Sequence, residues 1–75
     1  MEEINRILQE IRPDVDPAAE KHLVTDRVLT SFDIISLVGE LNEEFDIDIS
    51  AVDLIPSNFD TAEAIAALVR RKQEE

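Results

Sequence analysis

Ser31-Phe32-Asp33-Ile34-Ile35-Ser36-Leu37-Val38-Gly39-Glu40-Leu41-Asn42-Glu43-Glu44-Phe45, followed by Asp46-Ile47-Asp48-Ile49-Ser50, carries the clearest structural signal in the chain. At about 100° per residue, Ile34, Leu37, Val38, Leu41 and Phe45 fall on one stripe, which predicts a helix facing a core. It starts near Thr30 or Ser31 and runs to Phe45. Thr30 is a fair N-cap. Asp33, three residues on, approximates a capping box and meets the positive end of the helix dipole. The opposite side is unusual, because Phe32, Ile35 and Gly39 lie there beside Ser36, Glu40 and Glu43. An acidic surface therefore carries two large apolar residues next to the helix start. Residues 46–50 alternate polar and apolar as a strand would, but no other segment offers a pairing partner, so we read them as an extended loop.

Upstream of this helix, Ile4, Ile7, Leu8 and Ile11 follow the i, i+3, i+4, i+7 spacing of a helical face, and Pro13 disfavours continuation from Arg12. A first helix over residues 2–11 is expected. Residues 13–30 make a long connector, in which Asp16-Pro17-Ala18-Ala19 reads as an N-cap, a Pro at the first helical position and one short turn. A loop of this length in a compact domain is functional or is pinned by its own apolar contacts, and Val15, Leu23, Val24, Val28 and Leu29 can do the pinning. Downstream, Ser50 or its neighbour caps a short helix through Leu54, ended by Pro56, with Phe59 as an apolar anchor. Asp60-Thr61-Ala62-Glu63 is a capping-box pattern opening a last helix. Its face is Ala62, Ile65, Ala66 and Val69, with Leu68 alongside, and Arg70, Arg71 and Lys72 complement its C-terminal dipole. The expected fold is all-α: a small four-helix bundle of three main helices and one short one, with a long loop between helices I and II.

The chain has 75 residues, with 18 Asp plus Glu against 7 Lys plus Arg and a formal charge of −11. One domain over residues 1–75 is the expectation at this size. Residues 28–69 hold nine acids and no Lys or Arg. A chain that neutralises phosphates needs a clustered basic surface, so nucleic acid and anionic membranes are poor partners. Whatever docks on the middle of the chain is expected to be basic. Nine Ile, seven Leu and six Val, with three Phe and no Trp or Tyr, make the core aliphatic. The absence of Cys removes disulfides, thiolate zinc sites and a protein-borne thiol nucleophile. Apolar runs are too short to span a bilayer, and Met1-Glu2-Glu3 has the wrong charge for a secretory signal. A cytoplasmic monomer is the expectation.

Catalytic constellations are poorly supported. His22 is the sole imidazole, and nothing in its spacing to Ser31, Ser36, Ser50 or Ser57 supports a triad, which needs an oxyanion hole and an oriented base. Asp46, Asp48 and Ser50 imitate the first ligands of a calcium loop. Ala51, however, stands where the turn requires Gly, and Ser57 where a bidentate Glu is needed. Neither a catalytic residue nor a metal site is expected. Ser31 carries the sharper hypothesis. Taken alone, a serine at a helix start is a capping device; here it follows a long loop, sits where a phosphodiester is favourably placed, and adjoins Phe32 and Ile35.

Residues 31–49 quoted above, together with Asn58-Phe59-Asp60-Thr61-Ala62-Glu63-Ala64-Ile65, resemble the carrier proteins that hold a 4′-phosphopantetheine arm: acyl carrier proteins and their peptidyl and D-alanyl relatives. The resemblance covers almost the whole chain and rests on the order and spacing of motifs that are individually weak. It implies a four-helix bundle in which Ser31 accepts phosphopantetheine from coenzyme A, by the action of a separate phosphopantetheinyl transferase using magnesium. The chain itself would be a non-enzyme. The thiol of the arm would carry acyl or aminoacyl groups as thioesters between enzymes of fatty acid, polyketide or nonribosomal peptide biosynthesis. The implied partner-facing residues are Phe32, Asp33, Ile35, Ser36, Gly39, Glu40 and Glu43, set against basic surfaces on the loading and accepting enzymes.

The chain departs from the family's pattern at several positions. Thr30 stands where Asp, or His in peptidyl carriers, precedes the serine, and the region around Arg27 replaces a frequent Gly. Ser36 replaces a common acidic residue, and Gly39 a larger apolar one. These departures bear on the transferase and on partner identity rather than on fold. The alternative reading is an acidic helical interaction module without a prosthetic group.

Overall fold

A computed structural model describes residues 2–16 and 19–75. Helix α1 spans Glu2–Ile11, α2 Ser31–Phe45, α3 Pro56–Phe59 and α4 Ala62–Gln73, with a single 3-10 turn at Ala51–Asp53 and no strand among the described residues. The all-α, four-helix expectation is met. Helix α1 packs against α2 and α4, α2 also meets α4, and the short α3 lies on α4.

Each long helix buries the stripe its spacing predicted. Helix α1 buries Ile4, Ile7 and Leu8, while α2 buries Leu37 and Leu41, with Ile34, Val38 and Phe45 half-buried around them. Helix α4 contributes Ala62, Ile65, Leu68 and Val69, so Leu68 is a full member of the core and Ala66 lies at its edge. Phe59 is the one fully buried aromatic ring among the described residues, with Phe45 at the core's edge. Its burial by a four-residue helix explains how so short an element is held: one large side chain removes enough apolar surface to anchor a single turn.

The long connector is pinned in two ways. Val15, Leu23 and Leu29 are buried, and Val24 and Val28 half-buried, as their apolar character suggested. The second fastening is polar. Asp60 receives the Val24 and Thr25 amides on Oδ1 at 2.9 and 2.8 Å and the Thr25 hydroxyl on Oδ2 at 2.7 Å, while its carbonyl accepts from the Leu23 amide at 2.9 Å. Of the turn expected at Asp16-Pro17-Ala18-Ala19, Pro17 and Ala18 lie outside the described residues; the Ala19 and Glu20 amides both donate to the Asp16 carbonyl.

Two expectations need correction. Pro56 does not end a helix; it opens α3 at its first position, where its missing N–H costs nothing and its fixed φ suits the helix. The segment before it is the 3-10 turn, too short to bury any residue. Asp60 is not the cap of the last helix either. Thr61 is, its side chain accepting from the Ala64 amide at 2.9 Å. Asp60 is freed one residue upstream to hold the loop. Residues 47–50 form neither helix nor strand, in keeping with the lack of a pairing partner, and of the expected extended loop 46–50 its first residue departs. Asp46 ends α2 in a left-handed conformation, φ 54°, and Asn42 Oδ1 accepts the Ile49 amide at 2.9 Å, which turns Ile49 into the core.

Candidate functional site

The site is built on the first turns of α2. Thr30 is extended, φ −81° and ψ 170°, and its hydroxyl accepts the Asp33 amide at 3.1 Å while Asp33 Oδ2 accepts the Thr30 amide at 3.0 Å. This is the reciprocal capping box that the sequence suggested. Because Thr30 does the capping, Ser31 occupies the first helical position with its hydroxyl uncommitted. It is exposed, and no hydrogen bond engages that hydroxyl among the described residues. The positive end of the helix dipole lies beneath it, a setting that favours an attached anionic group.

Asp33 is the one proposed surface residue that the fold largely consumes. Its half-buried carboxylate holds the cap and also accepts from Arg12 Nη1 at 3.1 Å. The same nitrogen donates to the Val28 carbonyl at 2.8 Å. Arg12 thereby ties the end of α1 to the end of the loop and the start of α2. The Thr30 amide, and with it the Arg12 guanidinium, holds the Asp33 carboxyl below the usual carboxylate range against the opposing effect of partial burial. Local periodicity could not reveal this role of Arg12, since Val28 and Asp33 are distant from it in sequence.

The remaining predicted residues lie together along the outer side of α2. Phe32 and Ile35 are 78% and 69% exposed; Ser36 is half-buried, and Gly39, Glu40 and Glu43 are exposed. A Cβ added at Gly39 would meet nothing within 4 Å, so the glycine answers no packing demand inside the chain. Glu40, Glu43 and Glu44 border a shallow acidic groove. Glu44 is paired with Arg6 at 3.2 Å, whereas Glu40 and Glu43 have no ion-pair partner among the described residues.

Two further features lie beside the site, one foreshadowed by the departure from the family's glycine and one not. Arg27, four residues before Ser31, is left-handed with φ 58°, a conformation in which a glycine would be at ease. The second is apolar: Val52 is 82% exposed, and Leu54 and Ile55 are also open to solvent. Leu54, Ile55, Pro56 and Phe59 face Val24 and Ile34 across a cleft of about 90 Å³. The available signal was that Val52, Leu54 and Ile55 surround Asp53 in a segment too short to hide all three. Among the described residues no group of three or more His, Cys, Asp or Glu could hold a metal ion, and no helix is long and apolar enough to cross a membrane.

A family model described as a phosphopantetheine attachment site matches residues 2–69, nearly the whole chain. No curated protein and no solved structure matches it.

Proposed function

The chain belongs to the phosphopantetheine attachment-site family, and from that premise we propose that Ser31 is the residue that receives the arm. The family's members carry covalently attached 4′-phosphopantetheine and act as carrier domains rather than catalysts. The observation that supports Ser31 is its uncommitted, exposed hydroxyl at the positive start of α2, released from capping by Thr30. In the transfer, Ser31 Oγ forms a new ester bond to phosphorus and the pyrophosphate link of coenzyme A breaks. The adenosine bisphosphate half leaves, and the hydroxyl proton passes to the transferase. The bound arm supplies a thiol that holds acyl or aminoacyl cargo as a thioester.

The chain's own part is presentation. Phe32 and Ile35 offer apolar contact beside the attachment point, Gly39 and Ser36 keep the centre of the face flat, and Glu40 and Glu43 supply unpaired negative charge for basic enzymes that load and unload it. Asp33 acts indirectly, by fixing the first turn of α2 on which Ser31 stands.

Incubation of the apo chain with coenzyme A and a promiscuous phosphopantetheinyl transferase should add the mass of one phosphopantetheine. Ser31→Ala should abolish that gain and, because Thr30 rather than Ser31 is the cap, change stability by less than about 0.5 kcal/mol. An unmodified mass beside active controls would favour an acidic interaction module without a prosthetic group. Unfolding of Ser31→Ala would assign the serine to structure instead.

A further inference from the structure

The segment of residues 50–58 carries Val52, Leu54 and Ile55 at the surface and supplies one wall of the apolar cleft opposite Ile34, one helical turn beyond Ser31. Little apolar burial holds that segment before Phe59, since the 3-10 turn buries nothing. Its fastening is polar and comes from the far end of the chain. Lys72, in the last turn of α4, places Nζ 2.7 Å from Asp53 Oδ2, and the two side chains are only 11% and 18% exposed. Asp53 also accepts from the Ser50 amide and hydroxyl on the same oxygen, at 3.0 and 3.1 Å. Its carbonyl accepts from Asn58 Nδ2 at 2.8 Å, and Asn58 is in turn reached by Arg71.

We propose that the Lys72–Asp53 pair is a latch through which the last turn of α4 fixes the 50–58 segment, and so sets the width of the cleft and the presentation of Val52, Leu54 and Ile55. Three physical points support this. The pair is largely covered, so solvent screens it less than the exposed Arg6–Glu44 and Lys21–Glu63 pairs. One carboxylate oxygen joins the tether to the cap of the 3-10 turn, so releasing Lys72 loosens the turn as well. Finally, neither partner contributes to the apolar core, which lets the segment open while α1, α2 and α4 stay packed. The latch concerns the unmodified chain and does not depend on what becomes of Ser31.

Hydrogen exchange on the apo chain reads it directly. The reporters are the Asp53, Leu54, Ile55 and Asn58 amides, which bond within the segment. In Lys72→Met they should exchange about fivefold to thirtyfold faster, as expected for the loss of a partly buried ion pair, with the Leu37 and Leu41 amides changed by less than about twofold. Lys72→Arg should restore most of the protection. Asp53→Asn keeps a side-chain oxygen for Ser50 while removing the charge, and adding it to Lys72→Met should give little further acceleration. Unchanged reporters, a uniform acceleration across all helices, or fully additive effects of the two substitutions would each overturn the latch.

Discussion

Asp60→Ala is the substitution that most directly tests how the long loop is held in place ahead of Ser31. The change deletes three side-chain hydrogen bonds, from the Val24 amide, the Thr25 amide and the Thr25 hydroxyl, and leaves the carbonyl bond from Leu23 intact. A net hydrogen bond contributes about 0.5–1.5 kcal/mol. Thr25 is exposed, so water replaces much of what its two bonds supply, whereas Val24 is half-buried and its amide is harder to rehydrate. The negative charge just ahead of α4 is also lost, at about 0.3–1 kcal/mol. The sum is about 2 kcal/mol, against about 4–11 kcal/mol for a domain of this size. The variant should remain folded, with its melting temperature lowered by about 8–16 °C, as read by thermal and urea denaturation followed by circular dichroism. Its pH dependence adds a second check. The Thr25 amide, foremost among its donors, holds the Asp60 carboxyl below its ordinary value despite partial burial. The unfolded chain therefore binds the proton more readily. The stabilisation is complete above the unfolded value of about 3.9 and is lost as pH falls through the lower folded value. Wild type and variant should differ most near neutrality and draw together in acid. A loss below about 0.5 kcal/mol, or a difference that does not shrink in acid, would refute the assignment and leave the loop to its apolar contacts.

Gly39→Ala should stabilise the apo chain by about 0.5–1 kcal/mol, because a mid-helix glycine costs that much relative to alanine and the added methyl meets open space; urea denaturation checks it, and a loss of stability would reveal a packing demand absent from the fold. Glu40→Lys or Glu43→Lys should slow productive docking with a basic transferase more at low salt than at high salt, since exposed charges act by screened steering. Equal losses at both salt concentrations, measured by modification rate, would remove steering as the role of these two carboxylates.

The helices and their inward faces were legible because both follow from local spacing. Residues 2–11 and 31–45 carry the helical repeat, and Thr30 with Asp33 carries its own boundary signal within one turn. What the sequence concealed was long-range. Pro56 and Asp60 each carry an ambiguous local signal, since a proline serves equally as a stop or a first residue, and an aspartate before a threonine competes with it for the cap. The outcome at residue 61 is decided by a loop about 35 positions away, whose amides need an acceptor. The exposed face of α2 could be read from the wheel. The exposed Val52, Leu54 and Ile55 could not, because a segment of a few residues has no period.

The same contacts divide the chain's acidity into two kinds. Asp33, Asp53 and Asp60 all have carboxyls held below their ordinary range, by Thr30 and Arg12, by Lys72 and Ser50, and by Thr25 and Val24 respectively. Each fastens an element that borders Ser31 or the cleft beyond it. Carboxylates so engaged have little field left to offer a visitor. Glu40 and Glu43, exposed and without ion-pair partners among the described residues, keep theirs. The formal charge of −11 is therefore a poor guide to recognition when taken as a total. Lysine substitutions at the three aspartates would disturb the fastenings around Ser31 and the cleft. The same substitution at Glu40 or Glu43 would reverse surface charge without removing a fastening, so these two positions test the proposed docking separately from stability.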